Sequence, residues 1–282
     1  MSRVLVKELV ALGRWSERQI CKVLEIPRAT QRYLRKQKNE ESLIERITYW
    51  ALEFKRSGYR TILDLLDQQD GITINHKKLL RLWSETGLKL RKKKKIHRRY
   101  QGNYIRVRAE RKNQIWSYDI VSWKLFRGGK IRILNVIDEY SRECIGVLIK
   151  RNISASDVEG LLAKLFIQRG KPEYLRSDNG SEFTAKVLMN WIAGLGVKNL
   201  FIEPGSPWQN PFVESFNGKM REESLNINIC GTLMEAEYVV KQWVKVYNTI
   251  RPHSSLGGRP PAPESLLATS WMGKANLCFS LN

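Results

Sequence analysis

At 282 residues, with 42% hydrophobic and 10% aromatic side chains, the chain can bury a sizeable core in one large domain or two to three small ones. Its net charge of +21 is uneven: residues 1–112 carry 29 Lys/Arg against 12 Asp/Glu, and residues 113–282 carry 20 against 16, which points to a polyanionic partner, nucleic acid above all. No run of about 18 apolar residues and no signal-like apolar core is present, and four scattered cysteines with three histidines cannot assemble a zinc finger, so a soluble protein of a reducing cytosol is expected.

In chain order, residues 1–38 read as short helices. Ser16 can cap a helix through Leu24, and Pro27 opens the next, which runs to about Lys36. The apolar spacing fits a helix-turn-helix whose second helix offers Arg28, Gln31 and Arg32 to a major groove; a small bundle with a basic face fits equally well. Residues 41–87 read as a second helical module: an amphipathic helix over 42–56, another over 58–69, and a third capped by Asn75 with Lys77, Lys78 and Arg81 on its polar side. Residues 88–112 form a basic linker. From Lys89 it carries twelve Lys/Arg against Glu110 alone, and Lys92, Lys93, Lys94 and Lys95 make its densest cluster, suited both to solvation and to phosphate binding.

From Asn113 the texture turns to β, and residues 113–250 read as one α/β core. QIWSYDIVSWKLF, IRILNVID and ECIGVLIK predict three strands of an antiparallel meander. A helix from Ser154 to Gly170, a short strand PEYLRSD, a helix over 184–195 and a fifth strand VKNLFI follow. Thr232 and Glu235 predict a capping box for a long helix to about Asn248, and residues 251–282 form a Pro/Gly-rich tail with a short final helix.

Three acids merit attention. Asp119 lies inside an alternating strand that disfavours aspartate, Asp178 follows the fourth strand in SDNG, and Glu214 sits in the first turn of a helix opened by Asn210 and Pro211. Each has an ordinary explanation alone. If the first and fourth strands are neighbours their carboxylates converge, and such a cluster calls for a neutralising Mg²⁺ or Mn²⁺. Asp138 reads as a turn residue, His253 as a packed turn histidine, and Trp116 and Trp123 as core. Gln209 and Asn210 could touch DNA, Asn210 equally a helix cap, and Trp208 could stack on a base.

Between Asp178 and Glu214 lie 35 residues. With WSYDIV, LRSDNGSEF, SPWQNPFVESFNGKMREE and the tail WVKVYNTIRPHSSLGGRPPAPES, this resembles the Asp-Asp-Glu signature of retroviral integrases and insertion-sequence transposases, over roughly residues 42–267. The resemblance is to the downstream, catalytic frame of bacterial elements that frameshift to make their transposase. It implies a multidomain α+β protein: N-terminal helix-turn-helix modules and a ribonuclease-H-like core with a five-stranded mixed sheet. It implies cleavage at element ends and strand transfer with two Mg²⁺ or Mn²⁺ ions, Asp119 bridging both and Asp178 and Glu214 holding one each. Arg221, seven residues beyond Glu214, would grip a phosphate. The implied partners are the element's terminal inverted repeats, target DNA, further copies of the chain on DNA and the upstream-frame protein; no membrane is involved, and the implied location is the bacterial cytoplasm, at the nucleoid. A ribonuclease-H-like nuclease and a non-catalytic DNA-binding regulator stay open as alternatives.

Overall fold

The computed structural model describes residues 2–32, 40–89, 107–203 and 209–262. The chain divides into two compact units, Met1–Leu43 and Ile44–Asn282. The first holds α1 (Ser2–Ala11), α2 (Glu17–Val23) and α3 (Arg28–Arg32), closed around Val6, Ile20 and Cys21. Ser16 caps α2 through a reciprocal box with Gln19, each satisfying an amide the helix start leaves open.

Further along the chain, α4 (Glu41–Glu53), α5 (Tyr59–Asp70) and α6 (His76–Glu85) bury Ile47, Trp50, Ile62, Leu65, Leu66, Leu79, Leu82 and Trp83. Asn75 caps α6 by accepting from the Lys77 amide. Asp70, at the end of α5, ties the module together. It accepts from the Trp50 indole at 2.7 Å and pairs with Arg46.

The sheet has the order β3-β2-β1-β4-β5. Its strands are β1 (Ile115–Lys124), β2 (Lys130–Asp138), β3 (Cys144–Lys150), β4 (Tyr174–Ser177) and β5 (Lys198–Phe201). The first three form the antiparallel meander expected from their short turns, and β4 and β5 add in parallel after helical crossovers. Both faces are covered, so the alternation of β1 and β2 separates two apolar layers rather than core from water. Trp116, Tyr118, Leu134 and Val136 pack with α7 (Ala155–Arg169) and α8 (Lys186–Gly194). Val121, Ile131, Ile133 and Ile137 pack with α9 (Pro211–Met220) and α10 (Leu233–Thr249). Odd-numbered residues of β1 and β2 therefore face α9, and Asp119 is one of them.

Several caps differ from expectation. Thr232 accepts from the Glu235 amide, but the Glu235 carboxylate reaches the Gly231 amide instead of closing the box. Asn210 holds the N-cap position of α9 without a side-chain cap bond, because its side chain is turned into the interior. Of the helix expected to about Lys36, the stretch beyond Arg32 lies outside the described residues, as do the basic run Lys92–Lys95, Trp208 and the expected final helix.

Candidate active site

Strand register brings the first two acids together. Ser117 of β1 is level with Arg176 of β4 in a parallel pair, so Asp119 and Asp178, each two residues further on, leave the neighbouring strands at the same height. Asp178 stands just past the end of β4, where its Oδ1 accepts from the Gly180 amide at 3.0 Å. A Cβ on Gly180 would lie 3.1 Å from that same oxygen and 3.3 Å from both Glu182 and Phe183, so glycine is what lets the turn close on the carboxylate. Asn179 fixes the loop from the other side by donating to the Ile202 carbonyl at 2.7 Å.

Asp119 is held at both oxygens. Oδ1 accepts from the Ile120 amide at 2.7 Å and Oδ2 from the Asn217 side-chain amide at 2.8 Å. Asn217 in turn accepts at 2.8 Å from Asn135, the residue directly opposite Asp119 on β2. A buried amide chain thus runs from β2 through α9 to β1 and presents donors to the carboxylate. Burial nevertheless raises the Asp119 pKa to about 6, with the charges of Asp178 and Glu214 adding to the rise and the two hydrogen bonds opposing it.

Glu214 lies one helical turn before Asn217 and is exposed at the rim. The structure sets both Asp178 and Glu214 near enough to Asp119 to be felt electrostatically. Among the described residues, no three Asp, Glu, His or Cys side chains stand close enough together to enclose an ion. The donor chemistry still fits a hard divalent cation: carboxylate oxygens only, one of them desolvated and raised in pKa by its like-charged neighbours, a condition such a cation relieves. Arg221 is exposed and opens a five-residue π-helical stretch, Arg221–Leu225; seven residues beyond Glu214, the α-helical phase carries it to the same flank.

A second buried network supports the site. Arg176 and Glu139 are fully buried as an ion pair at 2.8 Å, and Ser117 also donates to Glu139. The remaining guanidinium donors reach the carbonyls of Gln209 at 3.3 Å and Val107 at 2.7 Å. Arg176 therefore fastens both the segment leading into α9 and the entry to the core onto β4, two residues before Asp178. A charged residue inside YLRSD was a legible signal of this; its partners were not.

The other residues singled out in the sequence are placed as follows. Gln209 and Asn210 are 1% and 5% exposed, so neither meets DNA as the protein stands. Arg32 is engaged by Glu17 at 2.7 Å and Arg81 by Glu85 at 2.8 Å, surface pairs that leave both cations near solvent. Arg28 and Lys77 are exposed, while Gln31 and Lys78 are half-buried. Trp123 is only partly buried against the core, whereas Trp116 is fully inside it. Asp138 is a turn residue, accepting from the amides of Asn113 and Tyr140 and the Ser141 hydroxyl. His253 is packed edge-on against Tyr247.

A five-stranded mixed sheet with one acid inside β1, a second just past the end of the neighbouring β4, and helices on both faces is the architecture of an integrase catalytic core. Family models described as integrase core domain match residues 109–207 and 195–261, and a helix-turn-helix-like domain model matches residues 38–95. A protein of insertion element IS476 from Xanthomonas euvesicatoria is 37% identical over 92% of this chain and 75% of its own length; one of IS407 from Burkholderia multivorans is 36% identical over 88% and 89%. The putative transposase InsK for IS150 of Escherichia coli is 27% identical over 86% of this chain and 91% of its own length. Among solved structures, the HTLV-2 integrase catalytic core domain in complex with magnesium aligns with a TM-score of 0.44 and 18% identity, over 54% of this chain and 96% of that one. The chain belongs to the integrase-core transposases of bacterial insertion elements. Among the described residues, no helix is long and apolar enough to cross a membrane.

Proposed function

We propose that this protein cleaves DNA at insertion-element ends and joins the freed 3′-hydroxyl to target DNA, with Asp119, Asp178 and Glu214 as its catalytic carboxylates. The observation that supports the reading is the register that sets Asp119 of β1 level with Asp178 just past β4, with the charge of Glu214 on α9 felt at Asp119. These three carboxylates would hold Mg²⁺ or Mn²⁺, which would supply Lewis acidity for phosphoryl transfer. The chain's own residues do the positioning. Asn217 and Asn135 aim Asp119, Gly180 and Asn179 fix the Asp178 loop, and Arg176 anchors the segment that leads into α9. Arg221 extends the site toward a phosphate on the Glu214 flank.

DNA is the partner that the helix-turn-helix-like segment, the basic linker and the charge asymmetry support. Holding two element ends at once requires more than one copy of the chain. The division into modules at 1–38, 41–87, 88–112, 113–250 and 251–282 belongs to the same proposal, as do base contacts by Arg28, Gln31, Arg32, Lys77, Lys78 and Arg81 and phosphate contacts by Lys92–Lys95.

The test is a cleavage assay on a duplex carrying the element's own terminal repeat. Asp119→Asn, Asp178→Asn and Glu214→Gln should each abolish Mg²⁺-dependent nicking while DNA binding stays within about threefold of wild type. Any one of them nicking at the wild-type rate would remove that residue from the site. Preference for an RNA–DNA hybrid over element-end DNA would favour a ribonuclease on the same core.

A further inference from the structure

On the flank of α9 opposite Glu214 lies a cleft of about 550 Å³ lined by Arg108, Tyr140, Arg142, Phe212, Ser255 and Leu256. We propose that this cleft is a second DNA site, one that takes a single unpaired nucleotide, its phosphate between Arg108 and Arg142 and its base against Tyr140. The proposal rests on the DNA reading above and assigns that substrate a further contact outside the catalytic acids.

Four observations carry it. The cleft volume suits one small ligand such as a single nucleotide rather than a paired duplex. Tyr140 is 46% exposed, an aromatic ring left at the rim beside two cations. That combination of stacking ring and positive groove is how unpaired strands are held without sequence preference. Arg142 lies 3.6 Å over the centre of the Phe212 ring and donates to the Glu139 carbonyl, so its guanidinium is pre-oriented rather than trailing in solvent. Its backbone has φ +65, a left-handed conformation costly for a residue that carries a Cβ.

The surroundings are cation-rich. Arg251 is gripped by Glu223 at 2.6 Å, and the lining carboxylate Glu139 is neutralised by Arg176. Lys219 has its pKa lowered, first by burial and then by Arg251 and Arg142. His253 is pushed down to about 3 by burial and then by Arg251, Lys219 and Arg142, and its Nε2 is buried with no hydrogen-bond partner. Cations that depress one another's proton affinity are the setting in which an incoming phosphate is most favoured. The position also matters: Phe212 and Glu214 share the first turn of α9, so a nucleotide in the cleft is held across one helix from the catalytic carboxylate.

The experiment uses the full chain with a single-stranded oligothymidylate bearing bromodeoxyuridine, and a duplex of unrelated sequence as comparator. Affinities are measured by fluorescence anisotropy, and ultraviolet crosslinks are mapped by mass spectrometry. Arg142→Gly, which suits the positive φ, combined with Arg108→Gln should weaken single-strand binding about tenfold and duplex binding less than about threefold. The wild-type crosslink should map to Tyr140. Tyr140→Phe should keep the single-strand affinity and Tyr140→Leu should lose it, at an exposed position that folding does not depend on. Crosslinks confined to other segments, or equal losses on both forms of DNA, would overturn the assignment while leaving the DNA reading intact. Failure of the wild-type chain to bind either form would instead sink the DNA reading itself.

Discussion

At the scale of single residues, the site depends on how Asp119 is kept usable where burial works against its charge. An ionised carboxylate at this depth is stabilised by donors, and the chain from Asn135 through Asn217 delivers one to Oδ2 while the Ile120 amide serves Oδ1. Asn217→Ala should therefore raise the Asp119 pKa above its present value of about 6 and slow cleavage roughly tenfold, with part of the loss recovered at higher pH. A pH–rate profile of the variant checks this; a uniform loss at every pH would mean that Asn217 only fills space. Asp119 was legible as a carboxylate inside an apolar strand, and Asn135 offers the same signal in IRILNVID. Their mutual register was not legible, since it depends on the turn between β1 and β2. Gln209 and Asn210 show the reverse error. As polar residues before a helix they could touch DNA, Asn210 equally cap the helix, yet both are buried, Asn210 at the N-cap position and Gln209 where its carbonyl accepts from Arg176 and its side chain from the Glu203 amide.

At the scale of elements, α9 and α10 form the working layer. Phe216 of α9 meets Trp243 and Tyr247 of α10 edge-to-face at 5.3 and 4.7 Å, and Met220 and Val213 fill the same layer, so α9 is positioned by packing along its whole buried side. The end of α10 is pinned in turn. The Asn248 amide both donates to and accepts from the backbone of Cys144 at the start of β3, and His253 packs its ring on Tyr247. His253 has a folded-state pKa of about 3 against 6.5 unfolded. The unfolded chain therefore binds a proton first as pH falls, and the stability present above pH 6.5 is lost progressively toward pH 3. Chemical denaturation should show His253→Leu losing about 2 kcal/mol less than wild type between pH 7 and pH 5. Identical pH dependence in the two proteins would show that folding does not lower the His253 pKa. Gly180→Ala offers an element-scale test of the Asp178 loop. With contacts of 3.1–3.3 Å awaiting a Cβ, cleavage should fall at least about tenfold with little change in DNA binding.

At the scale of the whole molecule, charge and catalysis are divided along the chain: most of the net positive charge precedes the core, and the acids lie within it. Replacing the cations from Arg91 to Lys95 with glutamine should weaken DNA binding and make log Kd less steep against log salt by about 0.9 per lost duplex phosphate contact. Titrations at several salt concentrations measure the slope directly, and an unchanged slope would remove the linker from the interface. Cleavage per bound DNA should hardly change, because none of these cations belongs to the catalytic set.

The sequence alone determined the local elements and the family. Caps such as Ser16, Asn75 and Ser154 act over three or four residues, strand alternation acts over two, and the three acids with their spacing and flanking motifs survive as text. Only the tertiary structure decided which side chains meet. The bond from Asn217 to Asp119 spans 98 positions and the link from Arg176 to Val107 spans 69. Such contacts exist because β1 is the strand shared by β2 and β4 and because α9 lies on its odd-numbered face. Sheet order and helix placement follow from the joint burial of two apolar layers, a property of the whole chain that no local pattern records.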